Sequence, residues 1–170
     1  MLKRILNLGM LTYLIFQINF ILTNSVSLAA LEQNIAISSP SDSFKPEDKN
    51  SVLKLAETYT QFQHDFGQDV PKDFNAISET LFLPIFKKIA NGEELVSDRS
   101  KLLNQLKGVR DFAGKWTIES KEIIPSKDNT KCTLHYLLHS EKAGDFEVIA
   151  ILRASKGKIG QIEEVYYKKK

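Results

Sequence analysis

Length, composition and charge describe one ordinary globular domain and exclude several classes of protein. The 170 residues are 42% apolar and 26% charged, which is enough apolar content for a packed core and excludes wholesale disorder. The formal net charge is +2, and Lys3 and Arg4 account for it because the rest of the chain is neutral. A neutral domain lacks the clustered basic excess of a nucleic-acid binder, so we expect no nucleic-acid partner.

The first 29 residues have the three parts of a secretory signal peptide. Two basic residues come first, residues 5–22 are mostly apolar, and Ser27-Leu28-Ala29 places small residues before a cleavage site. This order predicts cleavage after Ala29, export to the periplasm or the medium, and only transient contact with the membrane. The alternative is an uncleaved N-terminal membrane anchor, because about eighteen apolar residues nearly span a bilayer.

A flexible tether and one folded domain follow the predicted signal peptide. Residues 30–46 are rich in Ser and Pro, which is typical of a mobile linker, and the domain covers residues 47–170. A single cysteine, Cys132, cannot form an intrachain disulfide, so the domain depends on its core for stability. We expect Cys132 to pack as a small apolar side chain.

Helical periodicity marks the first half of this domain. A first helix is predicted over residues 47–66, ended by Gly67. Its apolar stripe consists of Val52, Ala56, Tyr59, Phe62 and Phe66. A second helix is expected from Asp73, a good N-cap, to Leu81, and residues 85–90 are expected to add a helical turn or two beyond Pro84.

A third helix is expected to start near Ser97 and Asp98 and to end at Gly114 in the left-handed conformation. Its predicted buried stripe consists of Leu102, Leu103, Leu106 and Val109. After Gly114 the period changes to that of strands. Four strands are predicted over residues 115–124, 130–140, 145–154 and 158–167, and the turn-rich connectors between them favour an antiparallel meander. Helices followed by a sheet predict an α+β domain.

The third predicted strand is apolar on both faces. Val148 and Ala150 fall on one face, while Ile149 and Ile151 fall on the other. Such a strand is usually central and covered on both sides. Helices cover one side, and a second copy of the chain would cover the other. The pattern therefore predicts a homodimer through the outer face of the sheet.

Residues 146–153, 157–159 and 162–166, together with residues 91–103, resemble the nuclear transport factor two-like superfamily, which includes the SnoaL-like and ketosteroid isomerase-like proteins. The resemblance covers about residues 47–167 and implies three N-terminal helices packed on a curved, mainly antiparallel four-stranded sheet. It also implies a cone with a pocket at its wide end. Members include isomerases, dehydratases, cyclases and non-catalytic binding or dimerisation modules, so the fold alone assigns no function.

The resemblance can be followed at single positions. Ketosteroid isomerases carry an aspartic acid in the penultimate strand that donates a hydrogen bond to the developing enolate. Ala150 occupies the matching position here, which argues against that reaction and makes us lean towards no catalysis. The pocket implied by the fold would be lined mainly by Tyr59, Phe62, Trp116 and Tyr136, and it would take a small apolar or amphipathic ligand.

A general acid/base pair remains open as an alternative. The catalytic candidates are His135, His139, Asp98 and Glu147. If the outward faces of the two neighbouring strands coincide, His135 or His139 could meet Glu147 or Arg153 across the sheet. Partly solvated cross-strand pairing explains the same residues. No metal or cofactor is expected, because Cys132 and His135 would point to opposite faces of one strand.

Three hypotheses follow from the sequence. The first is an exported SnoaL-like domain that binds a small ligand or a protein partner in or around the cone. The second is a lyase, isomerase or cyclase that uses His or carboxylate proton transfer in the pocket. The third is a structural homodimerisation module. The side chains that fill or line the cone discriminate among them.

Overall fold

The computed structural model describes residues 49–169. The expected signal peptide over residues 1–29, its membrane-anchor alternative and the expected tether over residues 30–46 lie outside the described residues. Within the described range, no helix has both the length and the apolar character needed to cross a membrane.

The described chain forms helices interrupted by two strands, and then a run of four strands. In chain order the elements are α1 (Lys49–Gly67), α2 (Phe74–Leu81), β1 (Phe82–Ala90), β2 (Glu93–Val96), a 3₁₀ turn (Arg99–Lys101), α3 (Leu102–Ala113), β3 (Trp116–Pro125), β4 (Lys131–Ser140), β5 (Gly144–Ser155) and β6 (Lys158–Lys168). The strands form one sheet in the order β2-β1-β6-β5-β4-β3. β1 runs parallel to β6, and the other neighbouring pairs are antiparallel.

The α+β class and the antiparallel meander of β3 to β6 are confirmed. Each of the four predicted strands begins and ends within one residue of the observed strand. The connectors contain the turn conformations that their residues favour, since Asn129 and Lys156 have φ of 55° and 53° and Gly144 and Gly157 have φ of 87° and 69°.

The prediction of a four-stranded sheet was wrong, because residues 82–96 contribute two more strands. Residues 85–90, expected as a helical extension, belong to β1. Asn91 and Gly92 have φ of 49° and 85°, as a two-residue type I′ hairpin turn requires. This turn reverses the extended chain into β2 and does not close a helix.

Pro84 lies inside β1, where a missing N–H would normally weaken a strand. The pairing of β1 with β6 is irregular between Phe82 and Lys87. Pro84 falls within this interruption, so the ladder loses no regular hydrogen bond there.

The three predicted helices are present. The Asp73 side chain accepts a hydrogen bond from the Ala76 N–H at 3.0 Å, which confirms it as the N-cap of α2. Gly114 closes α3 with a φ of 73°. The predicted stripe of α3 was too wide: Val109 remains 37% exposed, because α3 packs through Leu102, Leu106 and its last residue, Ala113.

The core lies between the inner face of the sheet and the helices, with α1 packed mainly against β3. It is unusually aromatic at the α1 end, where Phe62 meets Phe74 and Phe82 edge to face at centroid distances of 5.8 and 5.5 Å. Edge-to-face pairs add stability beyond the apolar area that they bury. These aromatic contacts therefore hold α1 against β1 and α2 at this end of the core.

Candidate functional site

The four residues expected to line a cone pocket lie together in the packed core. Tyr59, Phe62, Trp116 and Tyr136 are each at most 3% exposed. The Trp116 indole N–H donates to the backbone oxygen of Gln63 at 3.0 Å, and its ring stacks on Phe66 with centroids 6.2 Å apart. The structure thus brings the four residues together, but as packed core side chains.

A buried carboxylate lies at the centre of this interior. Glu164 is 1% exposed, and each of its two carboxylate oxygens has two polar partners. Oε1 accepts hydrogen bonds from the hydroxyls of Tyr59 and Tyr136 at 2.5 and 2.9 Å. Oε2 accepts from the Tyr166 hydroxyl at 2.6 Å and lies 3.2 Å from the Lys88 ammonium. We call these five residues the interior cluster.

The interior cluster joins four elements of the fold. Tyr59 comes from α1, Lys88 from β1, Tyr136 from β4, and Glu164 and Tyr166 from β6. Inward-facing positions alternate along each strand, so the sheet register alone brings the last four to one point. The cluster therefore fastens α1 to both halves of the sheet.

The charge state of the interior cluster follows from its contacts. Burial alone would raise the pKa of Glu164, but the Lys88 ammonium and three phenol hydroxyls together hold that pKa below its ordinary value. Burial, reinforced by the negative charge of Glu164, raises the pKa values of Tyr59, Tyr136 and Tyr166 well above their ordinary value. The cluster is thus a carboxylate that pairs directly with an ammonium and accepts hydrogen bonds from three neutral phenols.

Ala150, the position matched to the isomerase acid, lies directly beside this carboxylate. Ala150 is fully buried and pairs with Glu164 across β5 and β6. The interior therefore does contain an acid, one strand away from the position that the resemblance indicated. Sequence reasoning missed it because Glu163 and Glu164 are adjacent, and only the register decides which of them faces inward.

The Glu164 carboxylate has no acceptor position left for a further hydrogen-bond donor. A carboxylate has about four acceptor positions, and in Glu164 all four are used by groups of the chain itself. A general base needs a free lone pair within reach of the proton that it removes. Glu164 is therefore arranged as a structural anion and not as a reacting base.

The catalytic candidates lie outside the cone. His135 Nε2 is 2.8 Å from Glu147 Oε1, and His139 Nδ1 is 3.1 Å from Asp145 Oδ1, all on the outer face of the sheet. The structure therefore brings His135 and Glu147 together as a cross-strand pair. The side chains of both are 30–45% exposed, so the pair is partly open to solvent.

Asp98 lies apart from the other candidates. It begins the 3₁₀ turn before α3 and pairs with Ser100 and Lys101, and the Ser100 hydroxyl is the main reason why the pKa of Asp98 is lowered. A cavity of about 340 Å³ lies beside it. The residues around that cavity are Asn75, Ser78, Glu79, Pro84, Asp98, Arg99, Ser100 and Leu103.

A second cavity, of about 570 Å³, lies between α1 and α2 near the β5–β6 turn. Its floor is apolar, with Leu55, Ile77 and Leu81, and Lys54 lies at its rim. Tyr59, Phe62, Trp116 and Tyr136 do not line either of these two cavities. Both are surface features of the helical layer.

The outer face of the sheet carries large apolar side chains in contact with water. Ile149 and Val165 lie directly opposite each other on β5 and β6 and are 37% and 39% exposed. Tyr167 follows Val165 on the same face of β6 at 58% exposed, and Ile124 lies on β3 at 51% exposed, separated from Ile151 by Thr133 of β4. We call the following residues the outer sheet patch: Ile124, Ile149, Ile151, Val165 and Tyr167.

Charge is divided between the two ends of this face. Arg153 lies at one end of β5, directly opposite Lys131 in the register of β4 and β5. Glu147 lies at the other end of β5, and Asp145 follows it beside His139. Along β5, the outer sheet patch therefore has basic groups at one end and acidic groups at the other, and Glu163 of β6 lies within it opposite Ile151.

Solved structures of other proteins share this fold over most of their length. A proposed isomerase of the SnoaL-like family from Agrobacterium tumefaciens superposes with a TM-score of 0.56 at 9% identity, covering 69% of this chain and 98% of that one. A proposed ketosteroid isomerase from Kribbella flavida gives a TM-score of 0.56 at 10% identity, covering 71% and 81%. An NTF2-like protein of unknown function from an Exiguobacterium species gives 0.56 at 16% identity, covering 68% and 99%.

Over residues 49–169, helices packed on one face of a mixed six-stranded sheet define the class of this domain as α+β. Within that class the chain has the nuclear transport factor two-like fold, shared with SnoaL-like and ketosteroid isomerase-like proteins, as the resemblance implied. No protein-family model and no curated protein matches the sequence. At these identities the likeness concerns the fold, which hosts many unrelated activities.

Proposed function

We propose that this domain is a non-catalytic homodimerisation module whose contact surface is the outer sheet patch. The observation that carries the proposal is the group of exposed apolar side chains on one sheet face, with Ile149 and Val165 at its centre. Isolated exposed apolar residues are ordinary, but a contiguous group bounded by charges is typical of a protein–protein contact. The signal-peptide pattern of residues 1–29 leads us to propose also that the protein is exported after cleavage behind Ala29. The intact mass of the mature protein tests this, because cleavage would remove residues 1–29.

The filled interior supports this function over a ligand-binding or enzymatic one. The four expected pocket residues are packed core residues at most 3% exposed, and Glu164 has its acceptor positions used by the chain. The candidates His135, His139 and Glu147 lie on the same outer face as the patch. A dimer contact uses these residues as polar neighbours of an apolar centre, which requires no chemistry from them.

The outward side chains of β5 are self-complementary. In order they are Glu147, Ile149, Ile151 and Arg153. When two such faces stack with a two-fold axis between them and across the β5 strands, the two strands run antiparallel. Glu147 of each copy then faces Arg153 of the other, and the isoleucines meet at the centre. A second copy of this chain is therefore a partner that matches the order of charged and apolar side chains along β5.

The experiment is size-exclusion chromatography with light scattering, supported by sedimentation equilibrium. We expect the wild-type chain to have twice the protomer mass and the Ile149→Glu variant to be monomeric, because the buried charge would lack a partner. The matched control is Val109→Glu on α3, a residue with the same 37% exposure but on the helical layer. That control should remain dimeric.

Two results would count against the module. A wild-type chain that sediments as a monomer at micromolar concentration would contradict the proposed homodimer. If the Ile149→Glu variant remains dimeric and the Val109→Glu variant is monomeric, the dimer contact lies on the helices and not on the sheet. Circular dichroism of each variant establishes that its fold is intact before the mass is interpreted.

A further inference from the structure

From the interior cluster we infer that the cone is a receptor for a small carboxylate, and that the chain occupies this receptor with its own Glu164 side chain. Three phenol hydroxyls and one ammonium converge on the two oxygens of a single carboxylate. Such a set of donors recognises a carboxylate by charge and by the direction of each hydrogen bond. The inference stands on these contacts and is independent of the proposed dimer.

The donors are held by groups other than Glu164. Tyr59 accepts a hydrogen bond from the Gln63 amide at 2.9 Å, and its ring packs edge to face on Phe82 with centroids 6.3 Å apart. Tyr136 is 2% exposed on the central part of β4. The backbone of Lys88 is fixed by the pairing of β1 with β6. Removal of the Glu164 carboxylate would therefore leave the donors close to their present positions.

Substitution of Glu164 defines the size of the vacated site. Alanine keeps the Cβ atom, so Glu164→Ala removes a fragment that corresponds to acetate. Glycine also removes Cβ, so Glu164→Gly leaves room for propionate. Bound acetate in the alanine variant would accept the hydrogen bonds that Oε1 and Oε2 accept in the wild-type chain, and it would restore the negative charge next to Lys88. Acetamide has nearly the same shape but no charge, and chloride has the charge but neither the shape nor two oxygens.

The experiment is refolding of full-length Glu164→Ala from urea with sodium acetate, with acetamide, or with sodium chloride at equal ionic strength. Refolding lets the ligand enter before the core closes. We expect about 0.3 M acetate to raise the Tm of this variant by about 5 °C relative to chloride, with a saturable dependence on concentration. Acetamide should give little or no shift. If the variant is unfolded in buffer, the return of its circular dichroism spectrum with acetate replaces the Tm as the readout.

Three controls make the result specific to the receptor. Wild-type protein and Glu164→Gln have the site filled, so acetate and chloride should affect them equally. Glu163→Ala removes the neighbouring carboxylate on the outer face of β6 and should also show no specific response. An acetate effect that is equal in all four proteins, or an unfolded Glu164→Ala that acetate does not refold, would overturn the inference.

Propionate provides a test of fit. Glu164→Gly should respond more strongly to propionate than to acetate, whereas Glu164→Ala should show the opposite preference. Equal responses of the two variants to the two acids would indicate a general salt effect and would contradict a shaped carboxylate site.

Discussion

Lys88 supplies the positive charge beside the buried Glu164 carboxylate, from a side chain that is itself only 5% exposed. An ion pair of this kind stabilises a protein little when compared with well-packed apolar residues, but the loss of one partner leaves an uncompensated buried charge. The stability of the interior therefore depends on both partners being present together.

We expect Lys88→Met to lower the free energy of unfolding by about 3–5 kcal/mol at pH 7, because Glu164 would remain charged and buried without its cation. The matched control is Lys87→Met, since Lys87 pairs with Glu94 at 3.2 Å but both side chains are nearly half exposed. That change should cost no more than about 1 kcal/mol. Urea unfolding of both variants measures the difference, and equal costs would contradict a specific role for Lys88.

The contribution of Glu164 to stability should change with pH in opposite directions in the wild-type chain and in Lys88→Met. In the wild-type chain the pKa of Glu164 lies below its ordinary value of 4.5, so its contribution to stability is present above pH 4.5 and is lost as the pH falls through the folded-state pKa. In Lys88→Met, burial acts without the ammonium and raises that pKa above 4.5. The destabilisation caused by Lys88→Met should therefore shrink as the pH falls from 7 towards 4.5, and urea midpoints across this range measure it.

Two helical glycines illustrate how an element is fitted to its neighbours. A Cβ atom built on Gly67, the last residue of α1, would lie 2.5 Å from both the Nε1 and the backbone oxygen of Trp116. Gly108, inside α3, has no atom within 4 Å of the corresponding position. The first glycine permits the close approach of α1 to β3, while the second only adds flexibility to the unfolded chain.

We expect Gly67→Ala to destabilise the domain by about 1–3 kcal/mol, because α1 would have to move away from β3. Gly108→Ala should instead stabilise it by about 0.5–1 kcal/mol, the usual gain in helix propensity. Thermal and urea unfolding compare the two variants directly. Effects of the same sign would mean that the contact with Trp116 does not limit the position of α1.

The sequence predicted the last four strands to within one residue, because alternating apolar residues and turn residues act locally. It missed β1 and β2 for a physical reason. In β1, the inward position after Phe86 is Lys88, a charged residue whose burial depends on Glu164 from a distant strand. Local patterns cannot indicate such a partner, although the Asn91-Gly92 pair was a usable hairpin signal.

The same limitation applies to the interior cluster. The pairing of β5 with β6 shifts by one residue between Arg153 and Ala154. Without this shift, Glu163 would lie opposite Ala150 and Glu164 would face outward. The aromatic members Tyr59 and Tyr136 could be expected from their apolar periodicity, but the acid at their centre depends on one irregularity in the ladder.

At the scale of the whole molecule, the proposed dimer makes a prediction about charge. If Glu147 of each copy faces Arg153 of the other, Arg153→Glu should weaken the dimer about tenfold by placing like charges together. Adding Glu147→Arg to the same chain should restore most of the affinity, since the pair is then reversed. Sedimentation equilibrium of the single and double variants measures this, and a double variant weaker than either single variant would contradict the antiparallel arrangement.

Cys132 gives the molecule a means of reporting its own opening. It is fully buried on β4, and burial raises the pKa of its thiol to about 11. Alkylating reagents react with the thiolate, so both the surrounding core and the retained proton protect this sulfur. Because the chain has one cysteine, the rate at which iodoacetamide labels it under native conditions measures how often the core at the start of β4 is exposed. Cys132 is thus a natural probe of local opening of the core, and no engineered cysteine is required.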